Sequence, residues 1–199
     1  MPPAVIPALR RSRTVDPPGS ADAVLETYLR AKDANRPRLA ERAFDPAATL
    51  EVVDRSSVMA FPAETRGAAA IVDVLVRQFA RLYEDVHTLC LARPAPDATA
   101  FSCDWLVGMT AKDGCALRVG AGRYDWTLDP RPWRAVRLVI TIEAMQVLPA
   151  SGATAIDTWL GQIDPPWSTA PAVVGTAPPL RLLAPVLDYL RRGNSTTSR

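Results

Sequence analysis

Arg123 and Asp125 stand two residues apart in the stretch GRYDW, which has the composition of a buried β-strand. Alternate residues of a strand project from one face, so the guanidinium and the carboxylate are expected to lie side by side. A carboxylate held by an arginine keeps its charge and can orient water or accept a proton. We therefore identify Asp125 as a candidate catalytic base and Arg123 as the residue that holds it.

A second carboxylate beside this pair would complete acid–base chemistry, because a desolvated carboxyl group can donate a proton. Asp104 and Glu143, on the neighbouring predicted strands, are the candidates. The alternative is structural, since Arg123, Asp125, Asp104 and Arg137 could form an ion-pair ladder on a half-exposed sheet.

Tyr28 and His87 are candidate ligand-binding groups, together with Glu143. Tyr28 lies on the apolar side of the first predicted helix, where it either points its hydroxyl into a cavity or belongs to the core. His87 is the only histidine of the chain and stands at the start of a predicted strand. Alone it provides no metal-ligand spacing, and a polar strand-end residue is the alternative interpretation.

The motifs of metal and cofactor sites are missing from the sequence. Cys90, Cys103 and Cys115 show no CxxC spacing and are expected to be small buried thiols in a reducing compartment. The GAG at 120–122 lies inside a strand and opens no helix, so it is not a phosphate loop. Its glycines are expected to mark a bend or close packing beneath a bulky neighbour. We predict no metal and no cofactor.

Charge and hydropathy exclude two classes of partner. The 23 basic and 21 acidic residues give a net charge of +2, which provides no basic face for nucleic acid. No apolar run approaches the roughly 20 residues that span a bilayer, so no membrane partner is expected. The N-terminus places apolar residues before its arginines, the reverse of a secretory signal, and a cytoplasmic location is therefore predicted.

The elements that must position these residues follow a simple order. Apolar residues at helical spacing predict helices over 21–33, from Pro37, and over 67–86. Period-two patterns between turn residues predict a short strand at 48–54 and then an antiparallel meander of four strands at 86–94, 99–111, 115–129 and 134–148. The fold class is α+β, with N-terminal helices packed into a strongly curved antiparallel sheet.

Strand alternation divides the meander into two faces. One face is aromatic and apolar and must be buried, either on the helices or in a dimer; it carries Cys103, Trp105, Val107, Tyr124, Trp126, Leu138, Ile140 and Ile142. The other is apolar at one end and charged at the other, and we expect it to line a cone with a polar mouth; it includes Asp104, Arg123, Asp125, Arg137 and Glu143.

Composition divides the chain into three parts. Residues 1–20 are a proline-rich, irregular lead, and residues 21–149 hold all the elements described above. Residues 150–199 are rich in proline and alanine and end in an amphipathic helix and a mobile tail. This extension is expected to pack on the domain or on a partner subunit.

The order of helices and strands resembles the nuclear transport factor 2-like superfamily, which includes SnoaL-like polyketide cyclases, ketosteroid isomerase, scytalone dehydratase and limonene epoxide hydrolase. The resemblance covers about residues 20–148. It lies in YLRAKDANRPRLAERAFDPAATLE and RGAAAIVDVLVRQF for the helices, and in GRYDW and WRAVRLVITIE for the last strands. It implies a cystatin-like cone, open at one end to a ligand, whose outer sheet face often forms a dimer.

The resemblance implies a homodimeric, SnoaL-like protein that binds a small apolar or mixed-polarity molecule between the helices and the concave sheet. Such a protein is a cofactor-independent lyase, isomerase or hydrolase, or binds without catalysis. Arg123 and Asp125 resemble the R-x-D of limonene epoxide hydrolase, which belongs to an acid–arginine–acid constellation. In this sequence Asp104 or Glu143 would supply the remaining acid. Tyr28 is similar to a first-helix tyrosine of ketosteroid isomerase. The alternative is a non-catalytic dimeric scaffold that uses the aromatic face and the extension.

Overall fold

The structure is a computed structural model that describes residues 18–114 and 116–192. Most of the predicted lead, the thiol of Cys115 and the predicted tail lie outside these residues. The remaining two cysteines, Cys90 and Cys103, are free and buried.

Two short helices open the domain. Helix α1 (Ala21–Asp33) buries the predicted stripe, with Val24, Leu25, Tyr28 and Leu29 at most 1% exposed. The chain turns at Asn35, which has a positive φ of 48°, a conformation that asparagine tolerates better than most residues. Helix α2 (Pro37–Ala40) begins at the proline, as predicted, because the first helical turn needs no N–H donor there.

The third helical run is shorter than the helix predicted over 67–86. It consists of α3 (Ala68–Val72) and α4 (Phe79–Leu82), joined by a π-helical turn (Asp73–Gln78). The predicted helix extends to residue 86, but Tyr83 is already extended and pairs with Ala111 of a sheet strand. Sheet pairing therefore overrides the helical pattern here. Among the described helices, none is long and apolar enough to cross a membrane.

Six strands form one mixed sheet in the order β2-β1-β6-β5-β4-β3. The strands are β1 (Phe44–Asp54), β2 (Glu64–Arg66), β3 (Tyr83–Cys90), β4 (Ala100–Ala111), β5 (Leu117–Pro130) and β6 (Trp133–Leu148). Strands β3 to β6 form the predicted antiparallel meander.

The expectation of a wholly antiparallel sheet is wrong in one place, because β1 pairs with β6 in parallel. An uncovered edge on so long a strand would leave a row of unpaired backbone groups, and β1 satisfies them. The three residues of β2 are exposed or half-buried and carry no apolar pattern, so the sequence does not predict them. The α+β fold class itself is confirmed.

The face of the sheet that meets α1 and the third helical run is called the inner face. It carries the main core, in which aromatic rings pack edge-to-face and in stacks. The ring centroids of Tyr28 lie 5.5 Å from those of both Phe44 and Trp126, and Trp105 lies 5.5 Å from Tyr124. The apolar stripe of α1 thus packs directly on the aromatic strand face.

The composition of the two strand faces is confirmed, but their expected orientation is wrong. Cys103 pairs with Tyr124 and Trp126 with Leu138, which places the aromatic set together on the inner face. Each large aromatic buries about 150–250 Å², which at about 25 cal/mol per Å² is worth several kcal/mol. Ion pairs gain little from the same burial because both charges lose their hydration. The aromatic face therefore turns inward and the charged face outward.

The extension packs on the other, outer face of the sheet. Its helices are α5 (Ala153–Gly161), α6 (Ala170–Gly175) and α7 (Ala184–Arg191). They form a second core in which Trp159, Leu160 and Leu187 meet Leu106 and Val119 of the strands. The chain thus covers the apolar part of its own outer face. A homodimer through the sheet stays a prediction, and it would have to use the charged part of that face.

Gly122 is required by close packing, as the sequence predicts, and Gly120 lies against the flexible end of the Met145 side chain. A Cβ at Gly120 would lie 2.3 Å from the Met145 methyl group. A Cβ at Gly122 would lie 1.9 Å from the carbonyl oxygen of Thr141 and 2.7 Å from the Trp105 ring. The register of β5 on β6 also shifts between Ala121 and Gly122, so the strand bends at this point.

Gly122→Ala should therefore destabilise the fold strongly, by about 3 kcal/mol or more, because backbone cannot move aside for the new methyl group. Gly161→Ala is the matched control: it ends a helix and a Cβ there meets nothing within 4 Å. That variant should be neutral or slightly stabilising. Urea unfolding followed by circular dichroism measures both, and equal stabilities would contradict the packing described here.

Candidate functional site

A small cavity lies between α1, the third helical run and the inner face of the sheet. Its volume is about 50 Å³. Its wall is almost wholly apolar; it includes Val52, Leu75, Phe79, Trp105, Val107, Met109, Tyr124, Ile140, Ile142 and Met145. Three polar side chains also reach this wall, namely Tyr28, Lys32 and Thr88.

The Tyr28 hydroxyl is buried and has no hydrogen-bond partner among the described residues. Burial raises the pKa of Tyr28 far above its usual value, and the neighbouring Asp33 and Cys90 raise it further. The hydroxyl is therefore neutral and remains a donor at every physiological pH. A buried polar group without a partner is costly, typically by about 1–3 kcal/mol.

Lys32 lies one helical turn after Tyr28 and is also buried, at 6% exposed. Its Nζ donates to Asp33 Oδ1 at 2.6 Å and to Thr88 Oγ1 at 2.8 Å, and it lies 4.9 Å from the centre of the Phe79 ring. Asp33 in turn accepts from the Thr88 backbone N–H and hydroxyl. The ammonium group is thus paired, which a buried charge requires.

The segment 55–63 forms part of the cavity wall through Met59 and Phe61. Asp54 fixes this segment, because its carboxylate accepts the backbone N–H groups of Ser56, Ser57 and Met59. Burial alone would raise the pKa of Asp54, but these bonds and the Ser56 hydroxyl outweigh burial, and the pKa is lowered. The carboxylate is therefore the charged anchor of the segment.

Arg123 and Asp125 lie on the outer face and do not line the cavity. Arg123 Nε donates to Asp125 Oδ1 at 3.0 Å, and the Ser102 hydroxyl donates to the same oxygen. Their side chains are 26% and 37% exposed. The ion pair predicted from their spacing is present, but the expectation that it projects into the cone is wrong, for the reason of burial given above.

The remaining candidates lie apart from the cavity and do not form one cluster. Asp104 is buried beneath the extension, where its Oδ1 accepts from the hydroxyl of Tyr189 at 2.7 Å. Glu143 pairs with Arg55 at 2.8 Å. His87 lines a surface groove beside strand β3. Of the predicted site residues, Tyr28 alone contributes to the cavity wall.

Sequence reasoning missed Lys32. The signal was available, because Tyr28 and Lys32 are four residues apart and so share one face of α1, which is the buried face. A lysine on an apolar helical stripe indicates a buried charge with a partner. Among the described residues, no cluster of three or more histidine, cysteine or acidic side chains is placed to hold a metal ion.

Comparison with known proteins bears on the fold. No protein-family model matches the sequence, and the search of curated proteins gives no match. A solved hexachlorocyclohexane dehydrochlorinase (LinA, type 2) is similar, with a TM-score of 0.52 and 13% identity over 63% of this chain and 84% of that one. The chain has the nuclear transport factor 2-like fold.

Two further solved structures carry that fold name themselves. One is a nuclear transport factor 2-like protein of unknown function from Exiguobacterium sp. 255-15, with 17% identity over 60% of this chain and 97% of that one and a TM-score of 0.47. The other is a nuclear transport factor 2-like superfamily protein from Salmonella enterica, with 17% identity over 64% and 88% and a TM-score of 0.47.

Two of the buried tyrosines, Tyr28 and Tyr189, allow a direct test of the cavity. Tyr28→Phe removes a donor without a partner and should leave the free energy of unfolding unchanged or raise it by about 1 kcal/mol. Tyr189→Phe makes the same chemical change but removes a bond to Asp104, so it should cost about 1–3 kcal/mol. Urea unfolding compares them, and an equal loss in both would show that Tyr28 has a partner.

The Asp54 anchor predicts a pH dependence. Because its folded pKa is lowered, its contribution to stability is present above the unfolded value of about 3.9 and is lost as pH falls through the folded value. Asp54→Asn should cost about 1 kcal/mol at pH 7, and the difference from the unmodified protein should shrink below about pH 4. Asp97→Asn, at an exposed aspartate, is the control; a gap at Asp54 that does not vary with pH would contradict the assignment.

Proposed function

We propose that this protein binds a small, largely apolar molecule that carries one hydrogen-bond-accepting oxygen. The molecule would occupy the cavity between α1 and the inner face of the sheet. The observation that carries the proposal is the Tyr28 hydroxyl, which is buried at the cavity wall without a partner among the described residues. Native proteins leave few buried donors unsatisfied, and an acceptor on a ligand would satisfy this one.

Lys32 provides the second polar contact of the proposed site. Its ammonium group reaches the same wall and uses two of its three N–H donors on Asp33 and Thr88. We propose that its third donor binds the same ligand oxygen as Tyr28, since both side chains line the cavity. A neutral phenol beside a paired ammonium favours an uncharged or partly charged acceptor, such as a carbonyl group.

The size of the cavity limits the ligand. A water molecule occupies about 30 Å³ of liquid, and an apolar cavity of about 150 Å³ holds benzene. The space of about 50 Å³ therefore requires side chains to move before a ring can enter. The wall is suited to this, because Met59, Met109 and Met145 are flexible and change rotamer at low cost. We expect a ligand of about five to ten non-hydrogen atoms.

The same two donors define the chemistry that the site would support. Donors aimed at an oxygen stabilise negative charge on it, but removal of a proton also needs a base, and the described lining residues include no carboxylate or histidine to accept one. The proposal is therefore binding of the oxygen rather than a particular reaction. The hydrolase alternative depends on Arg123 and Asp125 in the cavity, and both lie on the outer face.

The alternative of a scaffold that binds partners through its aromatic face is not supported. Trp105, Tyr124 and Trp126 are at most 4% exposed and pack within the chain, so they offer no surface to another protein. The apolar outer face is likewise occupied by the helices of the extension.

A thermal-shift screen tests the proposal with matched probes. Small cyclic ketones and esters are each compared with the hydrocarbon of the same shape, for example cyclopentanone with cyclopentane. Near 100-fold excess over Kd, a ligand adds about 2.7 kcal/mol, which should raise Tm by roughly 5 °C or more. We expect the oxygen-bearing member of at least one pair to raise Tm well above its hydrocarbon.

The variants distinguish the cavity from other binding. Tyr28→Phe should reduce the affinity for the active ketone or ester about tenfold, the effect of losing one buried hydrogen bond. Tyr189→Phe, on the other side of the sheet, should leave that affinity unchanged. Equal shifts with ketones and hydrocarbons, or an affinity unaffected by Tyr28→Phe, would contradict the proposed recognition.

A further inference from the structure

A second concave site lies outside the cavity, between the C-terminal end of α1, strand β3 and the extension. This groove has a volume of about 360 Å³, within the range of small-molecule sites. Its polar rim includes Arg30, Arg36 and His87, and its apolar part includes Val86, Pro165 and Pro166.

The charges of the groove are unbalanced in favour of anions. Arg36 forms no ion pair with any described residue and is exposed at the rim. Arg30 is paired with Glu26 at 2.7 Å through one nitrogen, which leaves further donors on its guanidinium. Asp33 is the one acidic residue on the described wall, and its two oxygens are already held by Lys32 and Thr88. An anion would therefore meet arginine donors and no unpaired carboxylate.

The walls of the groove are held in place by backbone bonds. The N–H of Arg36 donates to the carbonyl of Ala31 at 2.7 Å, which fixes the turn after α1. On the opposite wall, the N–H of Cys90 donates to Pro166 at 2.7 Å, and Ser168 donates to the carbonyl of Cys90 at 2.9 Å. The prolines of the extension are thereby fastened to strand β3. A preformed site binds with less loss of entropy than one that must be ordered.

We propose that this groove binds a small organic carboxylate. The guanidinium of Arg36 pairs with the carboxylate, a geometry for which arginine is well suited, and His87 lines the same groove. The apolar body of the molecule rests on Val86, Pro165 and Pro166. The groove and the proposed ligand cavity share Thr88 in their walls, but Tyr28 lines only the cavity and Arg36 lines only the groove.

His87 provides a direct readout of this groove. It is the one histidine in the whole sequence, so its ring signal in a proton–carbon NMR spectrum needs no assignment. Three probes are titrated at constant pH and ionic strength: benzoate, acetate and benzyl alcohol. Benzoate should shift the His87 signal saturably. Acetate lacks the apolar ring and should bind about tenfold more weakly, and benzyl alcohol lacks the charge and should bind about tenfold more weakly.

Two arginine variants and one cavity variant complete the test. Arg36→Gln should weaken benzoate binding about tenfold, whereas Arg38→Gln, an exposed arginine two residues away that does not line the groove, should leave it unchanged. Tyr28→Phe should also leave benzoate binding unchanged, because Tyr28 does not line the groove. This result would show that the groove and the cavity bind independently, so that either proposal can fail without the other. Absence of a saturable shift, equal binding of benzyl alcohol, or equal losses in both arginine variants would overturn the assignment.

Discussion

The fold depends on the burial of one aromatic strand face against one helical stripe. Trp105, Tyr124 and Trp126 stand on the inner face of the sheet, and Tyr28 of α1 packs into them. This contact joins the first helix to strands that lie about a hundred residues later in the chain. It also sets the direction of the neighbouring strand residues, because alternation turns Asp104, Arg123 and Asp125 to the outer face. The cavity is what remains of the interior once these rings are packed.

Much of the fold could be predicted because its patterns are strong and local. The stripe of α1, the four strands of the meander and the role of Gly122 all follow from period and residue type. The end of the third helix at Leu82 and the parallel pairing of β1 could not be predicted, since both are decided by partners distant in sequence. Strand β2 carries no pattern at all, being short and exposed.

The candidate site was predictable in part and for a physical reason. The spacing of Arg123 and Asp125 indicates an ion pair, and the pair is there, but spacing does not tell which way a strand face turns. That choice follows from comparing the two faces as wholes, since the aromatic face gains far more from burial than the charged one. The position of Tyr28 could be predicted from its place in the apolar stripe of α1. Lys32 lies on the same stripe, and a charged residue there indicates a buried, paired ammonium group.

The hydrogen bonds at strand β3 affect the tendency of the sheet to associate with other chains. An exposed edge strand has unpaired backbone N–H and C=O groups, and another chain can pair with them and aggregate. At this edge, Asp33 accepts the backbone N–H of Thr88. Pro166 and Ser168 bond the N–H and the carbonyl of Cys90. The Asp33 carboxylate and residues 166–168 of the extension therefore block part of this edge from pairing with another chain.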